Sequence, residues 1–483
     1  MKFNMQTIFH ANGRPFYEMT SGAFIPEKDE PVHTEVGVIN LYPEITRQEI
    51  EGFGGAMTES SAYLLSKLDP ETRRKILDLY FGPDGLRYRY IRTSLDSCDF
   101  GLGQYQAVED PLSDPDFTTF TIDRDRKYII PMIREAMAAA AQPLSVLLSP
   151  WSPPKQWKEP QKAVKNDAAA YGGISAETSA EPSRITGSLK KEYYRPWAIY
   201  LAKYVKAYLD EGIPVTMLTM QNESIAATAW DSCVWEVDDQ KVFLRDHLYP
   251  VFKEAALTEK VGIFIWDHNK ERVYEWARDM LDDKTRDMAA GIAFHWYSGD
   301  HFEAVGLTRE AFPEKTLMLS ECCCGMQAKV TDPWFVKAYG MKTQARADYL
   351  DAAAYAHDII GNLGSGMNRW IDWNLCLDPQ GLPRTIDRGC NAGIIIDGGT
   401  WHETLILHYI KAFSASMLPG SKRIALSRCT DCVEAAAAVN PDGTIALVLL
   451  NGENEDHPFS IRMNGLIAHV TAPAETISVL RIG

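Results

Sequence analysis

Eight short apolar runs recur along the chain from Ile50 onward, each bounded by polar, glycine or proline residues and separated by longer segments. They are Ile50–Ala56, Arg87–Leu95, Pro143–Trp151, Val215–Glu223, Val261–Asn269, Gly291–Ser298, Thr316–Cys323 and Asn368–Leu375. A run this short and this apolar suits a strand covered on both faces, as in a parallel sheet flanked by helices. The intervening segments carry apolar residues at helical spacing, for example "SSAYLLSKLDPETRRKILDLYF" and "RPWAIYLAKYVKAYLDEG". Thr58 is placed to cap the first and Gly212 to end the second. The last helix of the series is expected over Thr400–Leu418. Eight such alternations predict an α/β chain built on a (β/α)8 TIM barrel. The alternative is an open doubly wound sheet. That fold would usually carry a glycine-rich phosphate loop after its first strand, and "GFGGAMTES" lacks the G-x-G-x-x-G spacing.

The two ends read differently. "VHTEVGVINLY" precedes the barrel, and the tail from about Ser421 alternates strand-like runs with turns. "NPDG", Asn440–Gly443, has the composition of a hairpin turn. The predicted organisation is a side β-sandwich made from both chain termini, residues 1–48 and 419–483, around the barrel at 49–418. The small, polar stretch Lys162–Gly187 reads as a long, partly mobile loop after the third strand.

Charge narrows the partners. With 65 acidic against 49 basic residues the formal net charge is −16, whose long-range field repels polyanions. Neither nucleic acid nor an anionic membrane surface is expected as a partner. No apolar stretch reaches the roughly 18 residues of a membrane span. The N-terminus shows no apolar core followed by a cleavage site. Nine scattered cysteines, an odd number, suit a reducing compartment, so the expected location is cytoplasmic. Oligomeric state is not read from these features.

In barrels of this kind the chemistry gathers at the C-terminal ends of the strands. There the sequence places Gly54 and Gly55, Arg92 with Asp99 beyond it, Trp151, Asn222 and Glu223, Asp267–Asn269, His295–Tyr297, Glu321, and Trp370–Asn374. Aromatic faces stack on the C–H surface of a sugar ring, and amides and charges bond its hydroxyls. Glu223 ends the fourth run and Glu321 the seventh. Two carboxyl groups about 5–5.5 Å apart would give retaining glycoside hydrolysis, and a gap of about 6.5–9.5 Å would give inversion. Each residue also has a plainer reading. A lone strand-end glutamate is most often a solvated acid, and Arg92 a structural ion-pair partner. Trp151, Trp296 and Trp373 can be core, and His295 a satisfied hydrogen-bond donor. It is the constellation that points to sugar chemistry, with Arg92 expected to hold Glu321 ionised.

Two cysteine motifs point elsewhere. "CTDC" has metal-ligand spacing but no second pair, and "ECCCG" sends neighbouring side chains to opposite faces. The latter reads as small buried hydrophobes, with Cys322 or Cys323 near the pocket. H-E-x-x-H, a Walker loop and G-x-S-x-G are absent, and neither metal nor organic cofactor is expected.

Seven ordered stretches go further: "EGFGGAMTESSAYLL", "RTSLDSCDFG", "LLSPWSPP", "GSLKKEYYRPWAIYLAKYVKAYLDEGIPVTMLTMQNE", "IAFHWYSGD", "MLSEC" and "WIDWNLCLDPQGLP". Together they resemble glycoside hydrolase family 30 over nearly the whole chain, and most closely its glucosylceramidase-like branch. The resemblance implies a retaining β-glycosidase with a barrel and side sandwich. By position it implies Glu223 as acid/base, Glu321 as nucleophile and Asn222 as the amide bonding the sugar 2-hydroxyl. It further implies that Asp99, Trp151 and Trp373 line the terminal-sugar subsite, that Tyr297 is an aromatic near the nucleophile, and that Arg92 supports it. One departure stands out. "RTIDRGCNAGIIID" places Arg384 and Arg388 where the branch usually has asparagines, so both are candidates for sugar contact and for preference toward another sugar or an acidic group. The expected activity is exo-acting hydrolysis of small soluble β-glycosides, β-glucoside first, then β-xyloside, β-fucoside or β-galactoside. Glu223 is expected to have a raised pKa before attack. An endo-acting glycanase of β-1,6-glucanase or xylanase type is the alternative enzyme. A non-catalytic carbohydrate-binding protein on the same scaffold is the alternative of another class.

Overall fold

The computed structural model describes residues 3–11, 14–24, 26–30, 37–162, 164–166, 176–178, 181–324, 344–385 and 389–483. The eight runs close into one parallel barrel. Its strands are β1 (Gly52–Ala56), β2 (Tyr90–Leu95), β3 (Ser145–Pro150), β4 (Val215–Thr219), β5 (Gly262–Asn269), β6 (Gly291–His295), β7 (Thr316–Glu321) and β8 (Arg369–Asp372). β8 pairs with β1 to complete the ring. The doubly wound alternative falls away, because an open sheet has two edges and this one has none.

One residue from each of β2 to β8 forms an apolar cluster: Tyr90, Leu147, Met217, Phe264, Ala293, Met318 and Ile371. β1 adds no side chain to it. A Cβ on Gly54 would lie 2.3 Å from the Tyr90 carbonyl oxygen, so the glycine there allows β1 to approach β2. A strand repeats its facing every second residue. Two positions beyond the apolar cluster that rule brings buried polar residues on five of its seven strands, Arg92, Ser149, Thr219, His295 and Ser320, and tryptophans on the other two, Trp266 and Trp373. The barrel therefore changes from an apolar layer to a polar one within a single step along its strands.

The helices follow local signals. The Thr58 side chain accepts from the Ser61 amide at 3.2 Å and starts α1, Glu59–Ser66. The single helical segment expected from Ser60 onward is in fact two. Asp69 accepts from the Glu71 and Thr72 amides, each at 3.0 Å, and with Pro70 in the first turn it begins α2, Pro70–Phe81. α3, Tyr194–Asp210, ends as Gly212 takes a φ of +76°. The helix expected over Thr400–Leu418 is shorter. Gly398, with φ +60°, turns the chain so that Thr400–Glu403 pairs antiparallel with Ile394–Asp397. α4 then covers only Leu405–Ser414.

Both termini build a ten-stranded sheet beside the barrel. Phe3–Ala11 pairs with Thr476–Ile482, and Val38–Ile50 with Ser421–Arg428. Its core includes Ile39, Leu41, Ile424, Leu447, Ile461 and Leu480. The Asn440–Gly443 turn forms as expected, with Asn440 N–H donating to the Thr444 carbonyl at 2.8 Å. The loop expected over Lys162–Gly187 is anchored by Ser183–Leu189 pairing with Lys158–Gln161, and residues 163, 167–175 and 179–180 within it lie outside the described residues. Among the described residues no helix is long and apolar enough to cross a membrane.

Candidate active site

The polar layer forms one hydrogen-bonded network centred on Arg92. This guanidinium is fully buried, and it donates to Ser149 Oγ at 3.0 Å, Asn222 Oδ1 at 2.8 Å, Asp267 Oδ2 at 3.0 Å and Glu321 Oε2 at 2.5 Å. Thr219 donates to Ser149, and Ser320 to Asp267. Five strands are thus tied through one cation. Trp151 and Trp373 stack on each other at 5.2 Å, and the guanidinium carbon of Arg92 lies 5.0 and 5.2 Å from their ring centres.

Glu223 and Glu321 come together here. With His295 they form a group whose nearest side-chain donor atoms all lie within 4.8 Å of one another. Glu223 sits past the end of β4 with a φ of +53°, a left-handed conformation that costs a non-glycine residue roughly 1–2 kcal/mol. Its amide donates to the Asp267 carbonyl at 2.7 Å, and the Asn222 amide to that of Pro150 at 2.8 Å, which holds the turn. Each Glu321 oxygen accepts one hydrogen bond. Arg92 supplies one, and the Tyr297 hydroxyl supplies the other at 2.9 Å. Burial keeps the Tyr297 phenol well above its ordinary pKa, so it remains a donor.

His295 lies between the acids, 3.1 Å from Asp267 through Nε2 and 3.5 Å from Glu223 through Nδ1. Burial alone would lower its pKa, but the charge of Glu321 and the contacts with Asp267 and Glu223 raise it to about 9. Asp267 is itself pushed up by burial and pulled below the ordinary carboxylate range by Arg92 and His295. Burial also raises Glu223, yet His295 and His268 outweigh it and hold this carboxyl below its usual value. Glu321 lies above its usual value, because burial exceeds the pull of His295 and Arg92. The raised Glu223 expected from the sequence is therefore not found: its carboxyl lies below its usual value. The reason is the imidazolium of His295 beside it, a residue that reads from the sequence as a hydrogen-bond donor.

The remaining candidates fall into two groups. Asp99 lies past β2, and its Oδ2 accepts from Arg384 Nε at 2.9 Å and Nη2 at 2.6 Å. The Arg384 guanidinium also lies over Phe100 and Trp230. Its charge is thus matched by Asp99, which removes the motive for expecting an acidic sugar. Arg388 lies outside the described residues. Trp296, weighed as core, is partly buried against Tyr355. Cys322 is buried and Cys323 partly exposed, whereas Cys429 and Cys432 are both exposed thiols.

The Glu223–His295–Glu321 group has donor atoms that a metal ion would use. Arg92 already bonds Glu321, and His295 holds a proton up to pH about 9, so the cationic charge is supplied by side chains. Asp267 was expected at the mouth without a specific role, and Ser149, Thr219 and Ser320 were not expected there. Three of these were accessible through the two-residue strand period, because Leu147, Met217 and Met318 precede Ser149, Thr219 and Ser320 by two positions.

Replacing Arg92 by methionine strands Asp267 and Glu321 without their cation in a buried layer. Removal of one partner from such a group costs about 3–5 kcal/mol. The urea unfolding midpoint of Arg92→Met should fall accordingly at an unchanged slope. A midpoint equal to the parent's would mean that Arg92 does not organise the site.

A barrel mouth holding two facing glutamates and a stacked tryptophan wall has the equipment of a glycoside hydrolase. Comparison with known proteins gives the family. Residues 50–414 match the Glycosyl hydrolase family 30 TIM-barrel domain, and residues 420–478 match the family's beta sandwich domain. The chain belongs to glycosyl hydrolase family 30. It is 29% identical over 437 residues to the lysosomal acid glucosylceramidase of Mus musculus, covering 88% of this chain and 79% of that protein. It is 22% identical over 424 residues to the endo-1,6-beta-D-glucanase BGN16.3 of Trichoderma harzianum, covering 85% and 79%. Among solved structures it is similar to SrfJ from Salmonella typhimurium, with a TM-score of 0.84, 27% identity and 99% of both chains covered.

Proposed function

We propose that the chain is a retaining, exo-acting β-glycosidase with Glu321 as nucleophile and Glu223 as acid/base. The observation that carries this reading is the approach of their carboxylate oxygens to within 4.8 Å, which supports the short carboxyl separation of a direct displacement. Glu321 attacks the anomeric carbon while Glu223 protonates the departing glycosidic oxygen. In the second step Glu223 takes a proton from water, and that water displaces Glu321 from the sugar. The Glu223 side chain is 16% exposed and that of Glu321 9%, which supports placing the leaving group on the Glu223 side. His295, with its pKa raised to about 9, is the proton source beside Glu223. A sugar that covers Glu223 makes its charge costlier, and His295 Nδ1, which can pass it a proton, is 3.5 Å from its oxygen. His295 then stays neutral and bonded to Asp267.

Asn222 is tied through its oxygen to Arg92, so its amide nitrogen serves a sugar hydroxyl. Trp151 and Trp373 form the apolar wall. The Asp99–Arg384 pair, laid against Phe100 and Trp230, supports a pocket blocked on that side and hence release of single sugars. β-Glucoside is the first choice, supported by the mouse relative, with β-xyloside, β-fucoside or β-galactoside behind it. An endo-β-1,6-glucanase is the second reading, supported by the fungal relative. The odd number and wide scatter of the nine cysteines support a cytoplasmic setting.

The test is proton NMR of the first sugar released from an aryl β-glycoside. A β-anomer appearing before mutarotation is expected, and an α-anomer would defeat the double displacement. Monosaccharide as the sole early product from a β-linked oligosaccharide separates exo from endo action. Arg384→Asn should leave the fold intact and shift the ratio of kcat/KM between gluco- and galactosides by about tenfold, or roughly 1.4 kcal/mol. An unchanged ratio would remove Arg384 from sugar selection.

A further inference from the structure

Cys323 follows Glu321 by two residues, and Cys390 lies just before the strand Ile394–Asp397. Both are free thiols, and their sulfurs are only 3.0 Å apart. Cys323 Sγ also lies 3.5 Å from the Tyr297 hydroxyl that donates to Glu321. On the other side, Arg384 Nη1 lies 4.0 Å from Cys390 Sγ. Cys390 packs with Trp151, Trp373 and Phe100, and Cys323 packs against that cluster. Two thiols thus meet inside the wall of the proposed sugar pocket, between the partner of Glu321 and the partner of Asp99.

We propose that Cys323 and Cys390 are a peroxide-oxidised pair whose disulfide cross-links this wall and lowers turnover. The sulfurs need to close from 3.0 Å to about 2.05 Å. The Cys323 S–H points at the Cys390 sulfur, and with Arg384 nearby it holds the Cys390 thiol below its ordinary pKa in spite of burial. Of the two sulfurs, Cys390 is the one placed to lose its proton and attack hydrogen peroxide. The O–O bond breaks, Cys390 becomes a sulfenic acid, and hydroxide leaves and takes up a proton. Cys323 then attacks the Cys390 sulfur, its thiol proton joins the departing hydroxide, and a second water leaves. The two sulfurs lose two electrons in all, and peroxide gains them. The cross-link draws Cys323 from Tyr297 and Cys390 from Arg384, loosening a contact to each end of the site. Displacements of about 1 Å near a reacting centre can cost up to about a hundredfold in rate.

The consequence for activity rests on the proposed roles of Glu321 and Asp99, whereas the cross-link itself does not. The test therefore reads both. The exposed pair Cys429 and Cys432 is first replaced by serine, because it would oxidise as well. That full-length protein is treated with graded hydrogen peroxide, quenched, digested without reductant and mapped by mass spectrometry. Activity on an aryl β-glucoside is measured before treatment, after it, and after dithiothreitol. The expected result is a Cys323–Cys390 peptide pair lighter by two hydrogens, with kcat/KM lowered about tenfold to a hundredfold and restored by dithiothreitol. Cys390→Ser, or Cys323→Ala should the first variant not fold, should keep its own starting activity through the same treatment. Both thiols surviving peroxide, or a cross-linked enzyme of undiminished kcat/KM, would overturn the proposal. A protein inactive on every aryl β-glycoside before peroxide would instead overturn the functional reading, and the peptide map would still decide the cross-link.

Discussion

Replacement of Glu321 by alanine should lower kcat on an aryl β-glucoside by about 10⁴-fold or more, the scale seen when a covalent nucleophile is removed from a site that acts as a unit. The reason lies in what remains. Arg92 and Tyr297 would still line the space, but neither has an electron pair that can form a stable ester with the anomeric carbon. Binding should survive, because the tryptophan wall, Asp99 and Asn222 are untouched. The loss should therefore fall on kcat more than on KM. Azide offers a second readout. A small anion can occupy the space beside Arg92 and attack from the face that Glu321 has vacated, giving an α-glycosyl azide. Activity within tenfold of the parent would remove Glu321 as the nucleophile, and azide attached with β configuration would place the nucleophile elsewhere.

Glu223→Ala should show a different pattern, set by the leaving group. A sugar or alkyl alcohol departs poorly without a proton, and loss of a positioned acid costs about 10²–10⁴-fold. A dinitrophenyl glycoside needs no such help, so its first step should be nearly unaffected while the glycosyl-enzyme accumulates for want of a base. The pH profile should change as well. In the parent the basic limb should follow loss of the proton shared by His295, whose pKa is raised to about 9, and Glu223. Without Glu223 that limb should flatten. Equal losses on alkyl and dinitrophenyl substrates would mean that Glu223 orients the sugar and does not transfer protons.

Much of this was legible in the sequence because barrels impose a strong pattern. Strands buried on both faces read as apolar runs, and all eight closed into the ring in the order of the chain. Glu223, Glu321, Trp151 and Trp373 were visible because each sits at the end of such a run. Details set by single local contacts were less visible. Asp69–Pro70 divides one amphipathic segment into two helices, and Gly398 converts the start of another into a strand. In the site, the sequence suggested which residues gather at the mouth and was silent on what each one touches. Arg384 could be picked out as a departure from its family, but its pairing with Asp99 joins residues 285 positions apart. The direction of the Glu223 shift depends in the same way on His295, a residue two strands away. The meeting of Cys323 and Cys390 across 67 positions has no signature in either motif alone.

The most direct test of the two facing acids is intact-mass and peptide analysis after incubation with a 2-deoxy-2-fluoro β-glycoside bearing an activated leaving group. The fluorine slows both steps, and the good leaving group restores the first, so a covalent intermediate should persist. The expected result is one fluorosugar per chain, carried as an ester on Glu321. Inactivation with the label on another residue, or steady turnover of good substrates with no adduct under any condition, would contradict it.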